Sequence, residues 1–442
     1  MRTALALALT ALATIAPLTA QSQTMSTAPA QTRPQTQWPV KDELYVAHDF
    51  KFGTGETLPE LKLRYLTLGT PHRNAAGHVD NAVLLLHGTG GNRFTLLNPI
   101  FSNVLFGPGQ PLDTTKYFLI FPDDIGQGDS SKPSDGLKMN FPHYDYDDMV
   151  RSQHQMLLEG LHVDHLRLVI GTSMGCMQSF VWGETYPQFM DALMPLACLP
   201  TEIAGRNRMM RYMAIENIKR DPAWNNGNYT TEPVNGIRTA NEMLFIMGTT
   251  PLLAQKAAPT REAAEKYIDN YLARTTAAVD ANNMIYYMDS SRNYNPEPNL
   301  SRITVPVMYI NSADDYINPP ELGIAEKLAK QIPHAQFVLI PISDQTRGHG
   351  THTQAAIWQN YLIQLLAEIG QFALPSLRDG LIKFTGNRVD PFDDGAGVRF
   401  NHLGSVRKVD LVTVVMQRVV TCRDHNSSSR VRMSNSEREL GS

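Results

Sequence analysis

The stretch Leu166-Arg-Leu-Val-Ile-Gly-Thr-Ser-Met-Gly-Cys-Met-Gln-Ser-Phe180 constrains this chain more than any other. It reads as a short buried strand (Leu166, Leu168, Val169, Ile170) running into Gly171-Thr172-Ser173-Met174-Gly175, then into an apolar helix through Trp182. A serine with glycines two positions away on either side, at a strand-to-helix turn, is the layout of a nucleophile elbow. Such a turn is so sharp that side chains at those two positions would collide with the adjoining backbone. The five-residue pattern alone is weak, since it arises by chance in about one chain in seven of this length. Its partners elsewhere in the chain decide the case.

At 442 residues the chain has room for one large α/β domain with insertions, or for two domains. A hydrophobic fraction of 42% against 19% charged residues suits a sizeable core. The net charge of −4 gives no basic footprint for a nucleic acid or an anionic membrane. No apolar run after the N-terminus reaches the roughly 18 residues that span a bilayer. Cys176, Cys198 and Cys422 are far apart and odd in number, so neither a disulfide framework nor a metal site is expected. Cys176 and Cys198 are read as small core residues, and no metal or bound cofactor is implied.

In chain order, Met1-Arg-Thr and the apolar run Ala4–Ile15 lead to Pro17-Leu-Thr-Ala20, the pattern of a cleavable secretory signal over residues 1–20. The expected location is therefore secreted or periplasmic. A Gln/Thr/Pro/Ser-rich leader fills 21–40. Ala47–Phe52 and Leu61–Leu68 alternate apolar and polar residues, as half-buried antiparallel strands do. Ala82–Leu86 and Tyr117–Phe121 are continuous apolar runs that suit strands buried on both faces. Helical composition follows at Asp147–Leu161. Strands alternating with helices predict an α/β fold with a mostly parallel sheet, its catalytic loops at the strands' C-terminal ends. The strand rhythm stops at residue 200, and 201–300 is expected to be a helical lid inserted between core segments 41–200 and 301–374. The sheet resumes at Val305–Ile310, followed by a helix Pro320–Gln331, a strand Gln336–Ile340 and a helix Thr353–Ile369. The tail, 375–442, fits nothing before it and is assigned no function.

Four constellations converge at one end of that sheet. Ser173 is a poor nucleophile until a base takes its proton. His87-Gly-Thr-Gly-Gly91, directly after a strand, offers a loop whose backbone N–H of Thr89, with that of Met174, could hold an oxyanion. Asn311-Ser-Ala-Asp-Asp315 supplies an acid to orient a histidine; Asp315 is favoured, with Asp314 capping the turn or the next helix. Arg347-Gly-His-Gly-Thr-His352 supplies the base, His349 being favoured over His352. The chain order Ser173, Asp315, His349 is that of α/β-hydrolases.

The chain also resembles the homoserine O-acetyltransferase branch of the α/β-hydrolases from about Leu61 to Leu366. The resemblance is carried by Leu63-Arg-Tyr-Leu-Thr-Leu-Gly-Thr70, Phe106-Gly-Pro-Gly109, Leu112-Asp-Thr-Thr-Lys-Tyr-Phe118 and Asp148-Met-Val-Arg-Ser-Gln153. It continues in Gly171–Gln178, Asp280-Ala-Asn282 and Asp315…Pro319-Pro320, while Asp124-Ile-Gly-Gln-Gly-Asp-Ser130 is similar to a turn of the wider superfamily. It implies an α/β-hydrolase fold, the same triad and an acyl-enzyme. It also implies a substrate-binding arginine in the lid, for which Arg208 and Arg211 are candidates. The chain departs from the family at Cys176, where a second glycine is usual, and at Gly350, where an acid usually follows the histidine. Export is a further departure, because acetyl-CoA is not expected outside the cytoplasm. The expected partner is a small-molecule acyl substrate, hydrolysed or passed to a hydroxyl, and a homodimer is one arrangement the chain could adopt. A non-catalytic binding protein on this fold would lack a triad member, and none is missing here.

Overall fold

The structure, a computed structural model, describes residues 36–369. The expected signal and tail, and most of the leader, lie outside the described residues. The sheet strands are β1 (Lys41–Lys51), β2 (Thr57–Leu68), β3 (Ala82–Leu86), β4 (Phe118–Pro122), β5 (Leu168–Thr172), β6 (Leu193–Leu196), β7 (Val307–Ser312) and β8 (Ala335–Ile340). They form one sheet in the order β1-β2-β4-β3-β5-β6-β7-β8. β2 pairs antiparallel with β1 and β4, and the strands from β4 to β8 run parallel.

The parallel strands read as unbroken apolar runs because both faces are covered. On β3, Ala82, Leu84 and Leu86 enter one core layer, while Val83 and Leu85 enter the other. The first layer packs on α2 (Tyr146–Gln155) and α3 (Met174–Thr185) through Met149, Met174 and Phe180. The second packs on α1 (Pro99–Leu105) and the helix over 355–369 through Phe101, Trp358 and Leu362. Strand order reverses around β3, whose neighbours β4 and β5 follow it in the chain, so the crevice beyond the C-terminal ends of β3 and β5 is where such sheets place a site.

Several segments differ from their sequence reading. The helical stretch read at Asp147–Leu161 starts at Tyr146, where Asp145 and Asp148 form a reciprocal cap, and passes into a π turn at Met156–Gly160. The expected helix Pro320–Gln331 is split: Gly323 takes φ 65°, and the α-helix occupies only Ile324–Ala329. Between residues 205 and 289 the chain is mostly helical: α4 (Gly205–Arg220), α5 (Val234–Gly248), α6 (Pro251–Ala257), α7 (Arg261–Ala277) and α8 (Ala281–Asp289). Ala214, Ile218, Trp224, Ile237 and Met284 give these helices a small core of their own. Among the described residues, no helix is long and apolar enough to cross a membrane.

The cysteine reading is corrected. Cys176, in the first turn of α3, and Cys198, just after β6, form a disulfide across a separation of 22 residues. They are buried, as small core residues would be, but they are bonded to each other. Sequence spacing could not show this, because the pair is brought together by the parallel packing of β5 on β6.

Candidate active site

The elbow is built as its glycines require. Ser173 sits between β5 and α3 with φ 56° and ψ −107°, a strained conformation for a residue with a side chain. A Cβ at Gly171 would stand 2.0 Å from the Gly175 carbonyl oxygen, and one at Gly175 would stand 2.4 Å from that of Leu86. Either would force the turn open. The strained turn is pinned at both ends, by the Ser173 N–H donating to Leu196 (2.8 Å) and the Gly175 N–H donating to His87 (3.0 Å).

The structure brings Ser173, His349 and Asp315 into one hydrogen-bonded chain. His349 Nε2 lies 2.8 Å from Ser173 Oγ, and His349 Nδ1 lies 2.9 Å from Asp315 Oδ2. Asp315 is fully buried. Burial alone would push its carboxyl up, but the His349 charge and hydrogen bonds from His349 and Asn318 outweigh it and hold the carboxyl below its usual range. Its other oxygen accepts from the N–H groups of Ile317 (2.8 Å) and Asn318 (3.1 Å). His352 takes no part in this chain. It is half-buried beside His349, and desolvation, with the His349 charge, pushes it down to about 3, which leaves it neutral. Asp314 does not cap a helix; Ser312 Oγ donates to it within the turn.

Asn318 was not legible as a site residue. Its amide donates to Asp315 Oδ2 (3.1 Å) and to the Ala197 carbonyl (3.0 Å), tying the acid's loop to the segment after β6. The signal for it, an asparagine before Pro319-Pro320, is local and says nothing of Ala197.

The loop after β3 lies against the serine: a Cβ at Gly88 would stand 3.3 Å from Ser173 Cβ. Among the described residues, no protein acceptor takes the N–H of Thr89 or of Met174, so both remain available to an oxyanion. Arg208 and Arg211 stand apart from these groups. Arg211, on α4, is buried, donating to Asn207 (3.0 Å) and to the Met288 carbonyl (3.5 Å), while Arg208 lies 3.7 Å from Asp289. Neither contacts Ser173, His349 or Asp315 among the described residues. No cluster of metal-ligating side chains occurs among the described residues.

A family model described as alpha/beta hydrolase fold matches residues 81–343, more than half of the chain. A homoserine O-acetyltransferase of Chloroherpeton thalassium is 30% identical over 312 residues, spanning 65% of this chain and 79% of that protein. This chain belongs to the homoserine O-acetyltransferase-like branch of the α/β-hydrolases. Solved structures agree on the fold. The homoserine O-acetyltransferase from Bacillus anthracis matches with a TM-score of 0.65 at 23% identity, covering 74% of this chain and 97% of that one. An acetylester hydrolase from Corynebacterium glutamicum matches with a TM-score of 0.64 at 20% identity, covering 74% and 96%.

In this α/β-hydrolase one further side chain bears on the loop after β3. Gln127, buried in the turn after β4, accepts from the Gly90 N–H (2.7 Å) and donates to Met174 Sδ (3.3 Å). A single amide thus spans the two segments that carry the N–H groups of Thr89 and Met174. Replacing Gln127 by leucine keeps the volume and removes both bonds. Steady-state kinetics on a small acetate ester are expected to show kcat lowered roughly ten- to hundred-fold with KM little changed, the signature of misplaced transition-state donors.

Proposed function

We propose that this protein is an exported serine esterase of the α/β-hydrolase fold, acting on a small acyl ester through an acyl-Ser173 intermediate. The observation that carries this reading is the unbroken chain Ser173 Oγ–His349–Asp315, with both links under 3 Å. Ser173 Oγ attacks the acyl carbonyl as its proton passes to His349 Nε2. Asp315 holds the imidazole by Nδ1 and stabilises the imidazolium. The N–H groups of Thr89 and Met174 hold the oxyanion. When the tetrahedral adduct collapses, the ester C–O bond breaks and His349 returns the proton to the departing alcohol. Water then repeats the sequence on the acyl-enzyme, releasing the acid and restoring the Ser173 hydroxyl. An amide would follow the same steps with an amine leaving.

Two features favour water as acceptor. The N-terminal sequence reads as an export signal, and the Cys176–Cys198 disulfide suits an oxidising compartment, where acetyl-CoA is not expected. His349 is followed by Gly350, where the transferases of this branch usually carry an acid. Transfer to a hydroxyl is the second reading, favoured by the 30% identity to a homoserine O-acetyltransferase.

The two are separated by incubating the protein with p-nitrophenyl acetate, with and without homoserine. Hydrolysis predicts a nitrophenol burst, steady acetate release and little O-acetylhomoserine, all absent in Ser173→Ala. Homoserine-dependent acetyl transfer that outruns acetate release would overturn the esterase reading in favour of transfer.

A further inference from the structure

Between the oxyanion loop and the lid lies a cavity of about 250 Å³. Its walls carry the polar side chains of Gln127, Lys132, Asp280, Asn283 and Tyr287, with Ala278 and Val279 as an apolar margin. Its two charged groups are already engaged. Lys132 pairs with Asp135 at 3.1 Å, and Asp280 accepts from the Tyr229 hydroxyl (2.7 Å) and the Asn283 N–H (2.9 Å). An anionic ligand would meet a lysine already paired and the Asp280 carboxylate against it. A neutral ligand with several hydroxyls fits better, because amides, hydroxyls and an aromatic ring can each serve one of its groups.

One group in the wall lacks a partner. Tyr287, on α8, is 9% exposed, and its hydroxyl makes no hydrogen bond among the described residues. It stands over the oxyanion loop, 3.7 Å from where a Cβ at Gly90 would lie. Burial, with the nearby Asp280 charge, pushes this phenol well above its ordinary range, so it stays protonated and can donate as well as accept. The ring is packed away while the hydroxyl is reached from the cavity, so it is free to bond a ligand there.

The place fits the chemistry. Gly88 lies against Ser173, and Gly90 is two residues further along, at most about 7 Å of extended chain. The cavity is smaller than the roughly 300–1,000 Å³ of pockets that take drug-sized ligands. A glycerol or single-sugar group is therefore the size that fits.

We infer that this cavity is the alcohol-side subsite of the enzyme, taking the polyhydroxylated alcohol portion of the acyl ester, with the Tyr287 hydroxyl bonding one of its hydroxyls. The inference rests on the esterase reading for the acyl half only; binding of the free polyol is independent of it.

The test uses the full chain in three forms: wild type, Ser173→Ala and Tyr287→Phe. The first measurement compares kcat/KM for 6-O-acetylglucose, glycerol monoacetate and ethyl acetate, which share one acyl group. A site built around a substrate hydroxyl discriminates against the analogue lacking it. The wild type is expected to prefer at least one hydroxylated ester by about ten-fold or more. Tyr287→Phe is expected to bring that ratio towards unity, the loss falling on the hydroxylated ester. The second measurement is calorimetric titration of Ser173→Ala, and of Ser173→Ala with Tyr287→Phe, with glucose and with glycerol. Saturable binding of either that weakens ten-fold or more in the double variant supports the subsite, even if no ester is turned over and the esterase reading falls. Ester turnover with no preference, or a preference and polyol binding both indifferent to Tyr287, overturns it.

Discussion

Ser173→Ala is expected to lower turnover of any ester substrate by four to six orders of magnitude while leaving the fold intact. The acyl-enzyme cannot form without Oγ, and what remains is the contribution of binding and of the oxyanion donors, on the order of 10³–10⁴ over water. The fold should not suffer, because alanine removes only an oxygen whose hydrogen-bond partner is His349 (2.8 Å). Intact-protein mass after mixing with p-nitrophenyl acetate reads the intermediate directly: an acetyl adduct in the wild type and none in the variant. Asp315→Asn should cost nearly as much, roughly 10⁴ in kcat, by a different route. One oxygen of residue 315 must still accept from the N–H groups of Ile317 and Asn318, which fixes the amide so that its NH₂ faces His349 Nδ1. Nδ1 must then accept, Nε2 carries the proton, and the ring cannot take one from Ser173. The same NH₂ also faces the Asn318 amide donor at 3.1 Å, so this variant should lose some stability that Ser173→Ala keeps. Retention of more than about 1% of wild-type turnover by Ser173→Ala, measured on protein free of contaminating esterase, would sink the assignment of the nucleophile.

What was legible in the sequence is what depends on near neighbours along the chain. The elbow is one case: Gly171 and Gly175 are dictated by contacts inside the turn and with the Leu86 carbonyl of the adjacent strand, so the residue types alone announce it. Strands β3 and β5 are another, since burial on both faces selects the apolar runs Ala82–Leu86 and 168–170. β6 shows the limit. It is four residues long and carries Pro195 inside a central strand, where a missing N–H normally argues against one. The parallel pairing of Gly171 with Pro195 and of Leu196 with Ile310 overrides that preference. Gln127, Asn318 and Tyr287 were invisible for a related reason. Each matters through a group far away in sequence: Gly90 and Met174 for the first, Ala197 for the second, the Gly90 loop for the third.

The Cys176–Cys198 disulfide has the second largest expected effect. It closes a loop of about 22 residues that runs from the first turn of α3, through the rest of that helix and β6. Chain-entropy reasoning gives roughly 3 kcal/mol for a cross-link of that size. Replacing both cysteines by alanine should therefore lower the melting temperature by several degrees, at about 2–4 °C per kcal/mol for a domain approaching this size. The effect on kcat should be much smaller, because the elbow keeps its other ties on the same segment. The Ser173 N–H still donates to Leu196, and the Ala197 carbonyl still accepts from Asn318. Both sulfurs are buried, so a thiol reductant reaches them only when the structure opens; in native buffer its effect should lag far behind its effect after brief unfolding. Alkylation of denatured protein prepared under oxidising conditions should find two fewer free thiols before reduction than after. If all three cysteines alkylate without reduction, the cross-link is absent in solution, and the argument for an oxidising compartment loses its structural support.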